Sequence, residues 1–332
     1  MLERRRAQLG VERVAVEKDD GLHKFLWNFR AVFGDYSSIA ATGEKQLGRS
    51  AKLSAASLAL ALLALAACDG ARPEARARES ARAAVAATPE VPVKAYPGKM
   101  AYVVVALCDN VNQGIVPVPA ALGNGEDPAR NLYWGARFGV KTFFRASRDW
   151  QLLSATPNPG PHVLERLVFK HKRHDAYLVA DAYRGAEIRQ ATEDFLEAAS
   201  GNSRHAVAVG ADTYGLARGA SSHLVAYVGH DGLMDFKLTR LPRKADERPR
   251  DAVVLACASK PYFSEAMREA GARPLLWTTN LMAPEAYVLH AAVEGWLAGE
   301  TGEQVRERAA KAYDSYQRCG IRAARGLFAT GW

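Results

Sequence analysis

The sequence predicts an α/β protein of three layers, a mostly parallel central sheet with helices on both faces. Three observations carry that expectation. Apolar runs of strand length, rich in valine and other β-branched residues, recur at 101–107, 176–183, 224–228 and 252–256. Between and after them lie stretches with helical spacing of apolar residues, at 186–199, 261–270, 284–297 and 303–319. With 48% hydrophobic and 24% charged residues among 332, the chain can bury a large core. Strands alternating with helices in such a chain make one layered domain.

The first run, 101–107, is apolar throughout, as suits a central strand covered on both faces, and Cys108-Asp109-Asn110 closes it. A long loop follows. Its Gly123-Asn124-Gly125 lacks the spacing of a dinucleotide or phosphate loop and is read as a turn. Residues 131–144 are expected to be helical despite Gly135 and Gly139, and 150–155 and 164–171 to be strands. In the helix at 186–199, Ile188, Ala191, Phe195 and Ala199 share a face, and Ser200-Gly201-Asn202 stops it. A short strand at 205–210, a strand-like 236–241 and a strand at 273–279 complete the expected set.

Ahead of the body, residues 53–67 are uncharged, follow Arg49 and Lys52, and give roughly 22 Å of helix, too short to span a bilayer core of about 30 Å. They read as the apolar part of a signal peptide. Leu65-Ala66-Ala67-Cys68 resembles the lipobox of bacterial lipoproteins. That resemblance implies that Cys68 is acylated, becomes the mature N-terminus and anchors the protein in the cell envelope, outside the cytoplasm. Asp69 looks like an inner-membrane retention signal. The expected organisation is therefore a mis-called extension over 1–48, a signal peptide over 49–67, a lipidated cysteine with an Ala, Arg and Pro-rich tether over 68–99, and the folded domain over 100–332.

The formal charge is +8, of which residues 1–67 contribute 10 basic against 7 acidic side chains. The remaining excess is spread out, with no basic stripe and no interleaved aromatics, so no nucleic-acid partner is expected. Four cysteines, Cys68, Cys108, Cys257 and Cys319, without CxxC spacing make neither a disulfide scaffold nor a structural zinc site. No metal or other cofactor is expected. His171 and His174 flank a polar turn but lack a third ligand at suitable spacing, and no GxSxG elbow is present.

Two of the strand-like runs end in chemically able side chains. One ends at His230-Asp231-Gly232, the other at Cys257-Ala258-Ser259. In an open parallel sheet the carboxyl ends of neighbouring strands face one crevice, so a thiol and an imidazole 27 positions apart can meet there as nucleophile and base. Cys108, at the end of the first strand, opens on the same crevice as a substrate-loop residue or rival nucleophile. Asp109, Asn110 and Gln113 share its loop as potential pocket donors. Asp181 is placed either beside the site or as a helix cap, and Cys319 on the final helix.

The strand ending in Gly229-His230-Asp231-Gly232 and the strand ending in Ala256-Cys257-Ala258-Ser259 resemble the paired motifs of the caspase-like fold, shared by caspases, metacaspases, legumains, gingipains and CHAT domains. The resemblance implies a cysteine peptidase with Cys257 as nucleophile, His230 as its acid–base partner, and an oxyanion hole from the Cys257 amide and the amides of Asp231 and Gly232. Two departures stand out. Asp231 occupies the place of the glycine that usually follows the histidine, and residues 233–251 offer no good helix for the crossover between the two strands. The expected partner is a peptide or protein substrate, with the membrane reached through Cys68. An inactive lipoprotein that binds a peptide or protein in the same crevice is the alternative.

Overall fold

A computed structural model describes residues 94–203, 205–216 and 223–332; the extension, the signal segment, Cys68 and all but the end of the tether lie outside these residues. The body begins before residue 100. Lys94 bridges to Tyr214, and Tyr96 is buried with its hydroxyl donating to Asp175.

An eight-stranded sheet runs in the order β10-β9-β8-β7-β1-β4-β3-β2. Five strands are mutually parallel: β1 (Lys99–Ala106), β4 (Ala176–Tyr183), β7 (Leu224–Val228), β8 (Asp251–Leu255) and β9 (Arg273–Thr278). β3 (Val163–His171) pairs antiparallel with both β4 and the edge strand β2 (Trp150–Gly160), and at the other edge the two-residue β10 (Phe328–Ala329) pairs antiparallel with β9. All of β7 and all but the first residue of β1 are buried, as their unbroken apolar sequences require.

Helices cover both faces. On one, α2 (Ile188–Ser200) and α3 (Ser259–Ala270) pack Phe195, Phe263 and Met267 onto Tyr102, Val104, Tyr227 and Val254. The rings of Phe195, Tyr227 and Phe263 lie 5.7–6.0 Å apart, tilted or edge-on, each such pair contributing about 0.5–1.5 kcal/mol beyond the area it buries. On the other lie α1 (Val140–Ala146), α4 (Ala286–Leu297) and α5 (Gly302–Gln317), with α6 (Ile321–Leu327) leading into β10. A small separate hairpin, β5 (Ala206–Val209) with β6 (Asp212–Gly215), stands apart from the main sheet. The three-layer α/β architecture is as the sequence predicts.

Several local expectations are corrected. The helix expected over 131–144 forms only from Val140. Before it, Asn131 Oδ1 accepts the backbone N–H groups of Cys108 and Tyr133, and a Cβ at Gly135 or Gly139 would overlap backbone, so that stretch winds as turns. The strand expected at 205–210 belongs to the separate hairpin. Residues 236–241 are not a strand; Phe236, Leu238 and Leu241 instead press their side chains into the α2/α3 layer as the crossover runs past. That crossover contains one 3-10 turn, Gly232–Met234, and no helix. Cys319 lies beyond α5, between Arg318 and Gly320, both at positive φ.

The strand order places β1 between β4 on one side and β7 on the other. From β1 the chain crosses to β2 at the far edge on one side and returns through β3 to β4, and from β7 it moves out the other way to β8 and β9. The carboxyl ends of β1 and β7 therefore flank the point where the connections diverge, which is where open α/β sheets form a crevice.

Candidate functional site

His230 and Cys257 stand at the same edge of the sheet. Val228 pairs with Leu255 in the parallel β7–β8 ladder, and each chain runs two residues further to reach its reactive side chain. No strand lies between them. Gly229 makes the turn out of β7 with φ +152, and a Cβ there would press on the Ala106 carbonyl, so glycine is needed for the imidazole to leave the strand where it does.

His230 is 8% exposed and held at both ends. Its carbonyl accepts the Tyr227 hydroxyl at 2.8 Å, and its Nε2 lies 2.8 Å from Asp235 Oδ2. Burial opposes ionisation of Asp235, but the hydrogen bonds from His230 and from the Gly114 amide outweigh it and hold the carboxyl below its usual range. An ionised carboxylate only accepts, so Nε2 carries the proton and Nδ1 keeps the lone pair. Asp235 was not singled out from the sequence. It reaches the imidazole because the 3-10 turn, whose N-cap is the Asp231 side chain accepting the Leu233 amide at 2.9 Å, folds the chain back within five residues.

Cys257 leaves β8 through Ala258, which adopts the left-handed region at φ +48 and begins α3. Ser259 locks this corner to β9: its Oγ donates to Val254 O and accepts from the Thr278 amide, while its own amide donates to Thr278 Oγ1. The thiol meets the backbone of Met282, accepting its N–H at 3.4 Å and donating to its carbonyl at 3.5 Å. Burial pushes the thiol pKa up, the Met282 N–H lowers it, and the charge of Asp231 raises it. Among the described residues no hydrogen bond joins the thiol to His230.

The backbone N–H groups of Cys257, Asp231 and Gly232, expected as oxyanion donors, donate to no other described residue. Asp231 is fully buried, with Oδ1 satisfied by the Leu233 amide and Oδ2 without a partner among the described residues. Burial raises its carboxyl to about 7, against the pull of the Leu233 amide and His230.

The β1 end forms the third wall. Asn131 clamps the Cys108 backbone through both its amide groups, and Gln113 donates to Leu107 O and Gly185 O. Asp109 caps its own loop, accepting from Val111 and Asn112, and Asn110 ties to Val118 in both directions. The glycines of 123–125 let these side chains pass, since a Cβ at Gly123 or Gly125 would overlap Asn110 or Asp109. Cys108 is fully buried, and burial lifts its thiol to about 12 despite a hydrogen bond from Tyr133, which disfavours its thiolate. Asp109 and Asn110 are committed to the loop's own structure. Val111 and Val116 on this loop, and Met234 on the turn after His230, are exposed apolar residues.

Asp181 lies inside β4, two residues before its end, fully buried, salt-bridged to Arg166 at 2.6 Å and bonded to Tyr102. Neither the site nor a helix cap uses it. Asp149, His171 and Glu294 cluster elsewhere with ligand atoms within 4.8 Å. There His171 Nδ1 accepts two backbone amides, which puts its proton on Nε2, facing Glu294; an imidazole held that way has no lone pair to give a cation. Among the described residues no helix is long and apolar enough to cross a membrane.

Compared with known protein families, curated proteins and solved structures, the chain matches none.

Proposed function

We propose that this protein is a cysteine peptidase of caspase-like type, anchored in the cell envelope through an acylated Cys68, that hydrolyses peptide bonds with a Cys257–His230 pair. The observation that carries the reading is the placement of the thiol and the imidazole at the carboxyl ends of adjacent parallel strands, beside the point where the strand connections diverge. His230, its Nε2 proton held by Asp235, offers Nδ1 to take the Cys257 proton. The thiolate attacks the scissile carbonyl, and the oxyanion is received by the undonated amides of Cys257, Asp231 and Gly232. His230 returns the proton to the leaving amine, and water hydrolyses the thioester. Attack requires Sγ to give up its two long contacts with Met282, as expected for a resting site that tightens on substrate.

The full-length protein in detergent micelles, given a varied peptide library, is expected to cleave peptides and to be labelled by an acyl-transfer thiol probe, both lost in Cys257→Ser. Cleavage that persists in Cys257→Ser overturns the assignment. The second reading, a non-catalytic peptide-binding crevice, is favoured by the thiol's engagement with Met282 and its raised pKa. Peptide binding unchanged by Cys257→Ser, with no cleavage by either form, selects it.

A further inference from the structure

The tether joins the body at a defined place. Lys94 lies against β6, donating its amide to Thr213 O and accepting the Gly215 amide, and the chain then runs to Lys99, which opens β1. On the way Tyr96 gives its hydroxyl to the Asp175 side chain and sets its ring edge-on to Tyr177 at 4.9 Å, while Lys99 donates its amide to Asp175 O. Lys99 pairs with Ala176, the first residue of β4, so the entry point is the amino end of the parallel strands, and the length of β1 puts it about 23 Å from the crevice.

That end is basic. The end of β3 and the turn after it carry Lys170, Lys172 and Arg173, and the end of α1 and its link to β2 carry Arg145 and Arg148, all of them exposed. The two stretches are fastened together: Lys172 donates its amide to Asp149 O at 2.8 Å, Arg173 bridges to the Asp149 side chain at 2.7 Å, and Trp150 pairs with His171. Lys170 lies over the Tyr177 ring at 5.6 Å, the same ring that Tyr96 meets, so the patch reaches the entry point. Residues 145–149 and 170–175 hold five basic against two acidic side chains, and among the described residues only Arg173 of the five is in an ion pair.

We propose that this patch docks the body on anionic phospholipid headgroups, with the amino ends of the strands toward the membrane and the crevice turned away from it. The proposal rests on the anchored reading of Cys68. A flexible chain of the length from Cys68 to Lys94 spans roughly 30 Å on average, which keeps the body near the lipid without fixing how it faces. Residues 69–93 hold four basic and four acidic side chains, so the tether brings no net charge to that choice. Each Lys or Arg held at an anionic surface favours association about fivefold, and the attraction fades within about 8 Å at physiological salt, so the charges at this end decide the orientation and those at the crevice end do not. The coincidence of the basic patch with the point of tether entry is what selects a lipid surface over a soluble anion.

The test is lysine acetylation by a water-soluble succinimidyl ester on the full-length protein reconstituted in vesicles, read residue by residue by mass spectrometry. Vesicles of phosphatidylcholine alone are compared with vesicles containing about one-third phosphatidylglycerol. Lys170 and Lys172 are expected to react about fivefold more slowly or more in the anionic vesicles, while Lys237, exposed on the crossover beyond His230, reacts alike in both. Salt at about 1 M should abolish the protection. So should Arg145→Glu combined with Arg148→Glu, which leaves both reporter lysines in place and turns the local balance to three basic against four acidic side chains; an unchanged Lys237 rate shows that this variant is folded. Equal labelling of Lys170 and Lys172 in the two kinds of vesicle overturns the proposal, as does protection by a short oligonucleotide with none by anionic vesicles. The mass of the Cys68 peptide reports the anchor separately: protection with an unmodified Cys68 leaves the docking surface standing and removes the anchor alone.

Discussion

With its Nε2 proton committed to Asp235, the His230 ring has a defined tautomer, and the same carboxylate holds the Gly114 amide of the β1 loop. One side chain thus fixes both the proposed base and the loop after β1. Asp235→Ala frees the ring and the loop together, and the expected result is a fall in kcat/KM of about 10²-fold or more, carried mainly by kcat, in a peptide-cleavage assay. The sequence placed Cys257 and His230 because a reactive residue at the end of an apolar run is a local pattern. Asp235 was hidden because its role depends on the turn Gly232–Met234 bringing it back, and that turn depends on the Asp231 cap. A legible hint existed in Asp231-Gly232, a pair that favours such a turn. The full burial of Cys108 was not legible, since it depends on chain arriving from a distant loop, where Asn131 clamps the Cys108 backbone.

Among the elements, the corner from β8 into α3 combines a left-handed residue with side-chain fastening to β9. Ala258 sits in the left-handed region, which costs an L-residue roughly 1–2 kcal/mol, while Ser259 and Thr278 stitch the corner to β9. Ala258→Val places a β-branched side chain where the backbone least tolerates it and should lower the unfolding free energy by about 1–2 kcal/mol in denaturant titration. Strands and the helices of strong periodicity were readable: 176–183 is β4 residue for residue, and α2 ends at Gly201 with φ +89. The misread stretch 131–139 had helical composition, but its backbone donors are taken by Asn131 and its glycines are pressed against neighbouring chain. The apolar residues of 236–241, Phe236, Leu238 and Leu241, serve the helical layer rather than a ladder.

For the molecule as a whole, two buried carboxyls tie stability to pH. Burial raises Glu285 to about 7 against hydrogen bonds from Tyr287 and Gln317, and Asp231 shifts the same way. Their native pKa values exceed the unfolded ones, so the folded state binds more protons between about pH 4 and 7 and stability falls as pH rises through that window. Asp235, lowered instead, acts only at more acidic pH. Thermal unfolding should occur at lower temperature at pH 8 than at pH 5, and Glu285→Gln should remove a share of that fall on the order of 2–3 kcal/mol.

Pro157 and Pro159 sit in β2, the outermost strand on one side, and the two-residue β10 closes the other. A proline has no amide hydrogen to lend, and two paired residues are too few to recruit a newcomer. A second copy meeting the β2 edge would find donors missing at Pro157 and Pro159, so edge-to-edge growth of the sheet is interrupted there.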